Sequence, residues 1–153
     1  MARAHTSVEA VIEAPARDVY AVLADYAHHH PHIMPSMFSG LEVESGGVGA
    51  GTVFHITLRV AGKDKRLHMR VDEPEPGRVL TETDLDSGSI TTFSLSRAEG
   101  DDPTVRIGSE WEPRSGIGGV IDRVALPAMT RSLLRKQLAQ LARYMRTQPV
   151  RPH

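Results

Sequence analysis

The chain has 153 residues, 40% hydrophobic and 24% charged, with eighteen Lys plus Arg against nineteen Asp plus Glu for a formal net charge of −1. That length fits a single domain spanning residues 1–153, and the even charge balance argues against a dedicated nucleic-acid binder. Zero cysteines exclude a disulfide framework, a thiolate metal site and a cysteine nucleophile, and the absence of a leader-like or bilayer-length apolar run predicts a cytoplasmic protein without a membrane span.

Ser7 to Glu13 alternates Val8, Ala10 and Ile12 against Glu9 and Glu13, the period of a strand. Ala14-Pro15 ends it, and Val19, Val22, Leu23 and Tyr26 then recur at helical spacing, with Asp18 near the positive end of that helix. Pro31 and Pro35 allow only a second, short and broken helix through the His-rich stretch that follows. From Leu41 onward the pattern becomes strands and turns. Four glycines within residues 46–51 mark a loop, and Thr52 to Val60 pairs with the strand of Leu67, Met69 and Val71 as a hairpin across Ala61-Gly62-Lys63-Asp64. Glu73 to Gly77 reads as a turn, Val79 to Asp84 and Ser89 to Arg97 as a second hairpin, and Thr104 to Glu112 as the last strand, making seven. Ile117, Val120, Ile121, Val124, Leu134, Leu138, Leu141 and Met145 predict a long closing helix to about Thr147, kinked or broken at Pro127, with its apolar stripe against the sheet.

This order is α+β, with an antiparallel sheet laid against the last helix. The sequence also resembles the START-like, or polyketide cyclase/dehydratase, superfamily (SRPBCC proteins) over roughly residues 5 to 147. The carrying residues are Ala14-Pro15 through Asp25-Tyr26, His30-Pro31 leading to Leu41-Glu-Val-Glu, the Gly47-Val-Gly-Ala-Gly-Thr52 turn, and the closing helix. The resemblance implies a helix-grip fold: a seven-stranded antiparallel sheet curled around a long C-terminal helix, two short helices after the first strand, and a cavity between sheet and helix.

With the apolar phase of each strand turned inward, the ligand-binding wall is expected to comprise Phe54, Ile56, Leu58, Leu67, Met69, Leu80, Phe93, Leu95, Val105, Ile107 and Trp111, roofed by Met129, Leu133 and Leu134. Glu82 shares the phase of Leu80, so it turns inward too, where a carboxylate is either paired or used as an acid, base or orienting group. Glu82 is therefore the first catalytic candidate, with His30 and Tyr26 beside it. His55, Arg59, His68 and Arg70 take the opposite phase and form a solvated outer face. Four histidines within residues 28–32 cannot all point at one ion, so no metal and no cofactor is expected. The His30-Pro31 part of the resemblance implies instead that His30 makes a structural hydrogen bond at the cavity rim.

The first functional expectation is a protein that binds a small hydrophobic ligand, such as a lipid, steroid-like or polyketide molecule, in an internal cavity. The alternatives are an enzyme of the cyclase or dehydratase type and a co-chaperone-like interaction protein.

Overall fold

The computed structural model describes residues 3–148. Strand β1 (Ala4–Val11) is followed by helix α1 (Ala16–Ala24), a 3₁₀ turn (His30–Ile33), strands β2 (Phe38–Ser45), β3 (Val53–Val60), β4 (Lys63–Glu75), β5 (Val79–Asp84), β6 (Ile90–Leu95) and β7 (Thr104–Trp111), and helix α2 (Gly116–Thr147). The second short helix expected from the sequence is thus a single 3₁₀ turn, with Pro31 in its first positions where a missing N–H costs nothing.

The strands form one antiparallel sheet in the order β1-β7-β6-β5-β4-β3-β2. Six consecutive strands meander, and β1 closes the far side against β7. Ala61 and Gly62 both take positive φ, 52° and 76°, which is the two-residue turn whose twist matches a hairpin. Strand β4 runs further than its sequence suggests. Glu73 to Glu75 continues the strand instead of turning, because a register shift between Asp72 and Glu75 accommodates Pro74.

The sheet curls around α2 in the helix-grip arrangement. The core draws Ile12 from just after β1, Val19 and Leu23 from α1, Leu80, Phe93 and Ile107 from β5, β6 and β7, and Leu134, Leu138 and Leu141 from α2, all at most 5% exposed. No helix among the described residues is long and apolar enough to cross a membrane.

Helix α2 runs through Pro127 as one element, without the break that is one of the two outcomes expected there. Its leading stripe also faces solvent, with Ile117 83% and Val124 71% exposed and Val120 and Ile121 less so but still open, at 60% and 49%. Polar contacts fix the phase of this half. The backbone N–H of Arg114 donates to Asp122 Oδ2 at 2.7 Å, the Arg114 guanidinium reaches both Asp122 oxygens, and Trp111 Nε1 donates to the Asp122 carbonyl at 3.2 Å. Arg114 accordingly holds the Asp122 carboxyl below its ordinary range. Gly119 shares the inward side with Asp122, and a Cβ there would collide with the Arg114 carbonyl. The buried face of this half is therefore Gly119 and Asp122, which turns the apolar stripe outward.

Candidate functional site

The pairing register brings polar residues into line on the concave face. Glu82 lies opposite Thr91, and Thr91 opposite Ser109, so these three positions form one row across β5, β6 and β7. Two residues along, the same strands place Leu80, Phe93 and Ile107 in a fully apolar row. The inner face therefore changes from apolar to polar in a single step of the pleat.

Facing that polar row are two side chains from the segment after α1. Asp25 ends the helix: its Oδ1 accepts the N–H groups of Ala27 and His28 at 3.1 and 3.0 Å, while its carbonyl accepts those of His29 and His30. This turn is tied to the glycine loop, since Tyr26 N–H donates to the Gly47 carbonyl at 2.8 Å and Gly49 N–H to the Ala24 carbonyl at 2.9 Å. Glu73 on β4 fastens the loop in turn, accepting from Ala50 N–H at 2.7 Å and from the Tyr20 hydroxyl at 2.5 Å. Gly49 has φ of +69°, and a side chain there would run into Glu73. The glycines of this loop thus allow the close approach that sets Tyr26 in place.

Tyr26 is fully buried and lies in a stack, its ring centroid 4.2 Å from His30 and 4.9 Å from Phe54. Its hydroxyl donates to Glu82 Oε2 at 2.6 Å. Burial, and then the Glu82 charge, push its phenol well above the ordinary tyrosine value. His30, also fully buried, directs Nδ1 at the Leu23 carbonyl at 2.7 Å. A carbonyl only accepts, so Nδ1 carries the proton in that bond. Nε2 is left 3.2 Å from Glu82 Oε2, at ion-pair distance but without hydrogen-bond alignment. Tyr26, His30 and Glu82, the three catalytic candidates of the sequence, thus form one cluster, and both partners of Glu82 engage the same oxygen.

Glu82 also borders a cavity of about 130 Å³ between the sheet and α2. Its lining is apolar at Met34, Phe38, Phe54, Ile56, Leu67, Met69, Leu133 and Leu134 and polar at Glu82, Asp84, Ser89, Thr91, Ser109, Thr130 and Gln137, with α2 supplying residues of both kinds. Of the wall expected from the sequence, Leu80, Phe93, Leu95, Val105 and Ile107 pack in the solid core next to the cavity and not on its surface, and Leu58 lies beyond it. Met129 points to solvent, 57% exposed, because α2 presents Thr130, Leu133 and Leu134 to the sheet. Trp111 is buried at the joint between β7 and α2, away from the cavity lining. The other histidines of the cluster diverge: His28 pairs with Asp25, His29 Nδ1 meets the Tyr144 hydroxyl at 2.7 Å, and His32 stacks on the Tyr144 ring.

The family model described as polyketide cyclase / dehydrase and lipid transport matches residues 3–146. The chain belongs to this family. Several proteins of known structure share its fold. The KanY protein, solved by NMR, superposes with a TM-score of 0.81 at 24% identity, covering 95% of this chain and 99% of that one. The Zhui aromatase/cyclase from a Streptomyces species gives 0.70 at 16% identity, covering 94% and 92%. Norcoclaurine synthase from Thalictrum flavum, solved with dopamine and hydroxybenzaldehyde, gives 0.72 at 16% identity, covering 98% and 90%. No curated protein sequence matches at a significant level.

In this polyketide cyclase-type chain, the polar part of the cavity lining is what sequence reasoning missed. Thr91 and Ser109 occupy inward positions of their strands, so the period of two already marked them. Gln137 falls within the α2 stripe between Leu134 and Leu138, where it is buried and donates to Met34 Sδ at 3.4 Å. A polar residue at an apolar position of a helix is the same kind of signal that singled out Glu82 on its strand.

Proposed function

We propose that this chain binds a small, oxygenated, partly aromatic or alicyclic molecule of the polyketide kind in the cavity beneath α2, and that Glu82 moves a proton on it. The observation that carries this reading is the Tyr26–His30–Glu82 cluster bordering a cavity whose lining mixes apolar side chains with hydroxyls, carboxylates and an amide. A plain lipid chain would desolvate Glu82 Oε1 and the half-buried Thr91 and Ser109 without replacing their lost water, at a cost of about 1–3 kcal/mol for each polar group left unpaired. A guest with carbonyl or hydroxyl groups along one edge would meet them.

Tyr26 and His30 both engage Oε2, which leaves Oε1 as the atom that meets the guest. As a carboxylate, Glu82 is a base that takes a proton at Oε1 from a carbon beside a carbonyl, and the resulting acid gives that proton to a departing hydroxyl, which leaves as water. Cyclisation followed by dehydration uses both steps, and the cavity contributes by holding the chain folded. Binding and release without chemistry is the second reading, favoured by the apolar part of the lining, with Glu82 then only orienting the guest.

Native mass spectrometry of the protein purified from cells identifies the guest class. With that compound, Glu82→Gln separates the two readings. A proton-transferring Glu82 loses roughly 10²–10⁴-fold in turnover while the guest still binds. Wild-type turnover in Glu82→Gln, or a guest that returns chemically unchanged, overturns the enzymatic reading. Co-purification of an unoxygenated hydrocarbon chain overturns the substrate class.

A further inference from the structure

The convex face of the sheet carries a second group of chemistry-bearing residues, on the side away from the cavity. His55 on β3 and His68 on β4 are directly opposed in the pairing register. Their rings stack nearly parallel, with centroids 4.2 Å apart and planes within 9°. The edge strand β2 adds Glu44. A register shift between Val43 and Ser45 breaks the regular pairing at this residue, and a bulge of that kind re-aims a side chain. Glu44 accordingly sets one carboxylate oxygen before each ring: Oε1 lies 3.6 Å from His55 Nε2, and Oε2 lies 3.2 Å from His68 Nε2. All three residues bring a ligand atom within 4.8 Å of one another, the one such group among the described residues.

These spacings are those of a surface ion-pair network, and they also lie close to the spacing of ligand atoms on one metal ion. Zinc takes imidazole nitrogen and carboxylate oxygen at about 2.0–2.2 Å, so neighbouring ligand atoms on a tetrahedral ion lie about 3.3 Å apart. The separations to the two Glu44 oxygens, 3.6 and 3.2 Å, lie near that value, and a tilt of the stacked rings out of parallel turns both Nε2 lone pairs onto one ion. The adjacent cations are engaged elsewhere: Arg66 pairs with Glu42 at 3.2 Å and Arg70 with Asp72 at 3.1 Å. All three side chains remain open to solvent, with His55 and His68 about a third exposed and Glu44 about half. We propose that His55, His68 and Glu44 form a binding site for a borderline divalent cation of the zinc, nickel or copper type. Two imidazoles and one carboxylate suit that class and disfavour magnesium or calcium, which take oxygen ligands. Three protein ligands leave a coordination position open to water or an incoming donor.

The site joins strands β2, β3 and β4, whose opposite face supplies Phe38, Phe54, Ile56, Leu67 and Met69 to the cavity wall. An ion bound here therefore fastens the back of that wall. It does not depend on Glu82 or on the proposed chemistry.

The test is calorimetric titration of zinc ions into the untagged full chain, alongside His55→Asn, His68→Asn and Glu44→Gln. A double variant, His28→Asn with His29→Asn, controls for the other histidine cluster. We expect one ion per chain, weakened at least about tenfold by each of the three substitutions, unchanged in the double variant and not displaced by excess magnesium. Zinc should also shift the imidazole NMR signals of His55 and His68 in the wild-type protein, a readout that needs no variant. Absence of zinc binding, binding unaltered by the three substitutions, or binding lost only in the double variant overturns the proposal.

Discussion

The Tyr26 hydroxyl reaches Glu82 Oε2 at 2.6 Å across 56 positions of sequence, and it does so from inside a fully packed aromatic stack. A buried carboxylate is tolerated only where donors replace its hydration. Tyr26→Phe keeps the stack and removes one donor, so it should destabilise the fold by about 1–3 kcal/mol in denaturant titrations. Combined with Glu82→Gln, the two losses should fall short of or exceed additivity by about 0.5–3 kcal/mol, as for groups sharing one network. Strict additivity would mean that the hydroxyl and the carboxylate act independently.

Alkaline pH tests the same burial. Burial and Glu82 raise the phenol of Tyr26, and burial followed by the hydrogen bond and charge of Glu73 raises that of Tyr20. In the unfolded chain both ionise near pH 10. The folded state then holds more protons than the unfolded one, so this contribution to stability is intact below about pH 10 and falls as the pH climbs beyond it. Phenolate absorbance from Tyr20 and Tyr26 should appear together with loss of the folded circular dichroism signal. Ionisation of both near pH 10 in a chain that stays folded would contradict their environment.

The two halves of α2 should respond differently to truncation. Leu141 is fully buried, and Leu141→Ala should cost about 2–5 kcal/mol. Ile117 is 83% exposed, and Ile117→Ala should stay within about 0.5 kcal/mol of wild type. Thermal unfolding of both variants provides the comparison, and a large loss in Ile117→Ala would place that half of the helix against the sheet.

Gly119→Ala examines the joint between β7 and α2. The new methyl group meets the Arg114 carbonyl, which the backbone hydrogen bond from Arg114 to Asp122 holds in place. A stability loss of about 1–3 kcal/mol should follow, as for other overpacked sites. Trp111 donates to the Asp122 carbonyl in the same joint, so its fluorescence should shift with the displacement. Unchanged fluorescence and stability would show that the joint can relax around a side chain.

The sequence by itself determined the seven strands, the helix that closes the chain and the inward phase of Glu82. Each of these follows from a local period of two or about 3.6 that any compact fold must satisfy by burying one face. The tertiary structure decided what those faces meet. Register places Thr91 and Ser109 in the row of Glu82, and no local pattern contains the register of strands that pair across long connections. The glycine loop and Glu73 bring Tyr26 and His30 over that row from the far side of the sheet. The leading half of α2 shows the opposite case, in which a correct helical period led to the wrong face. Its apolar stripe lost to Gly119 and Asp122 because a backbone contact with Arg114 and a buried carboxylate bond set the rotation of the helix. Those interactions depend on distance in space, and periodicity along the chain carries no information about them.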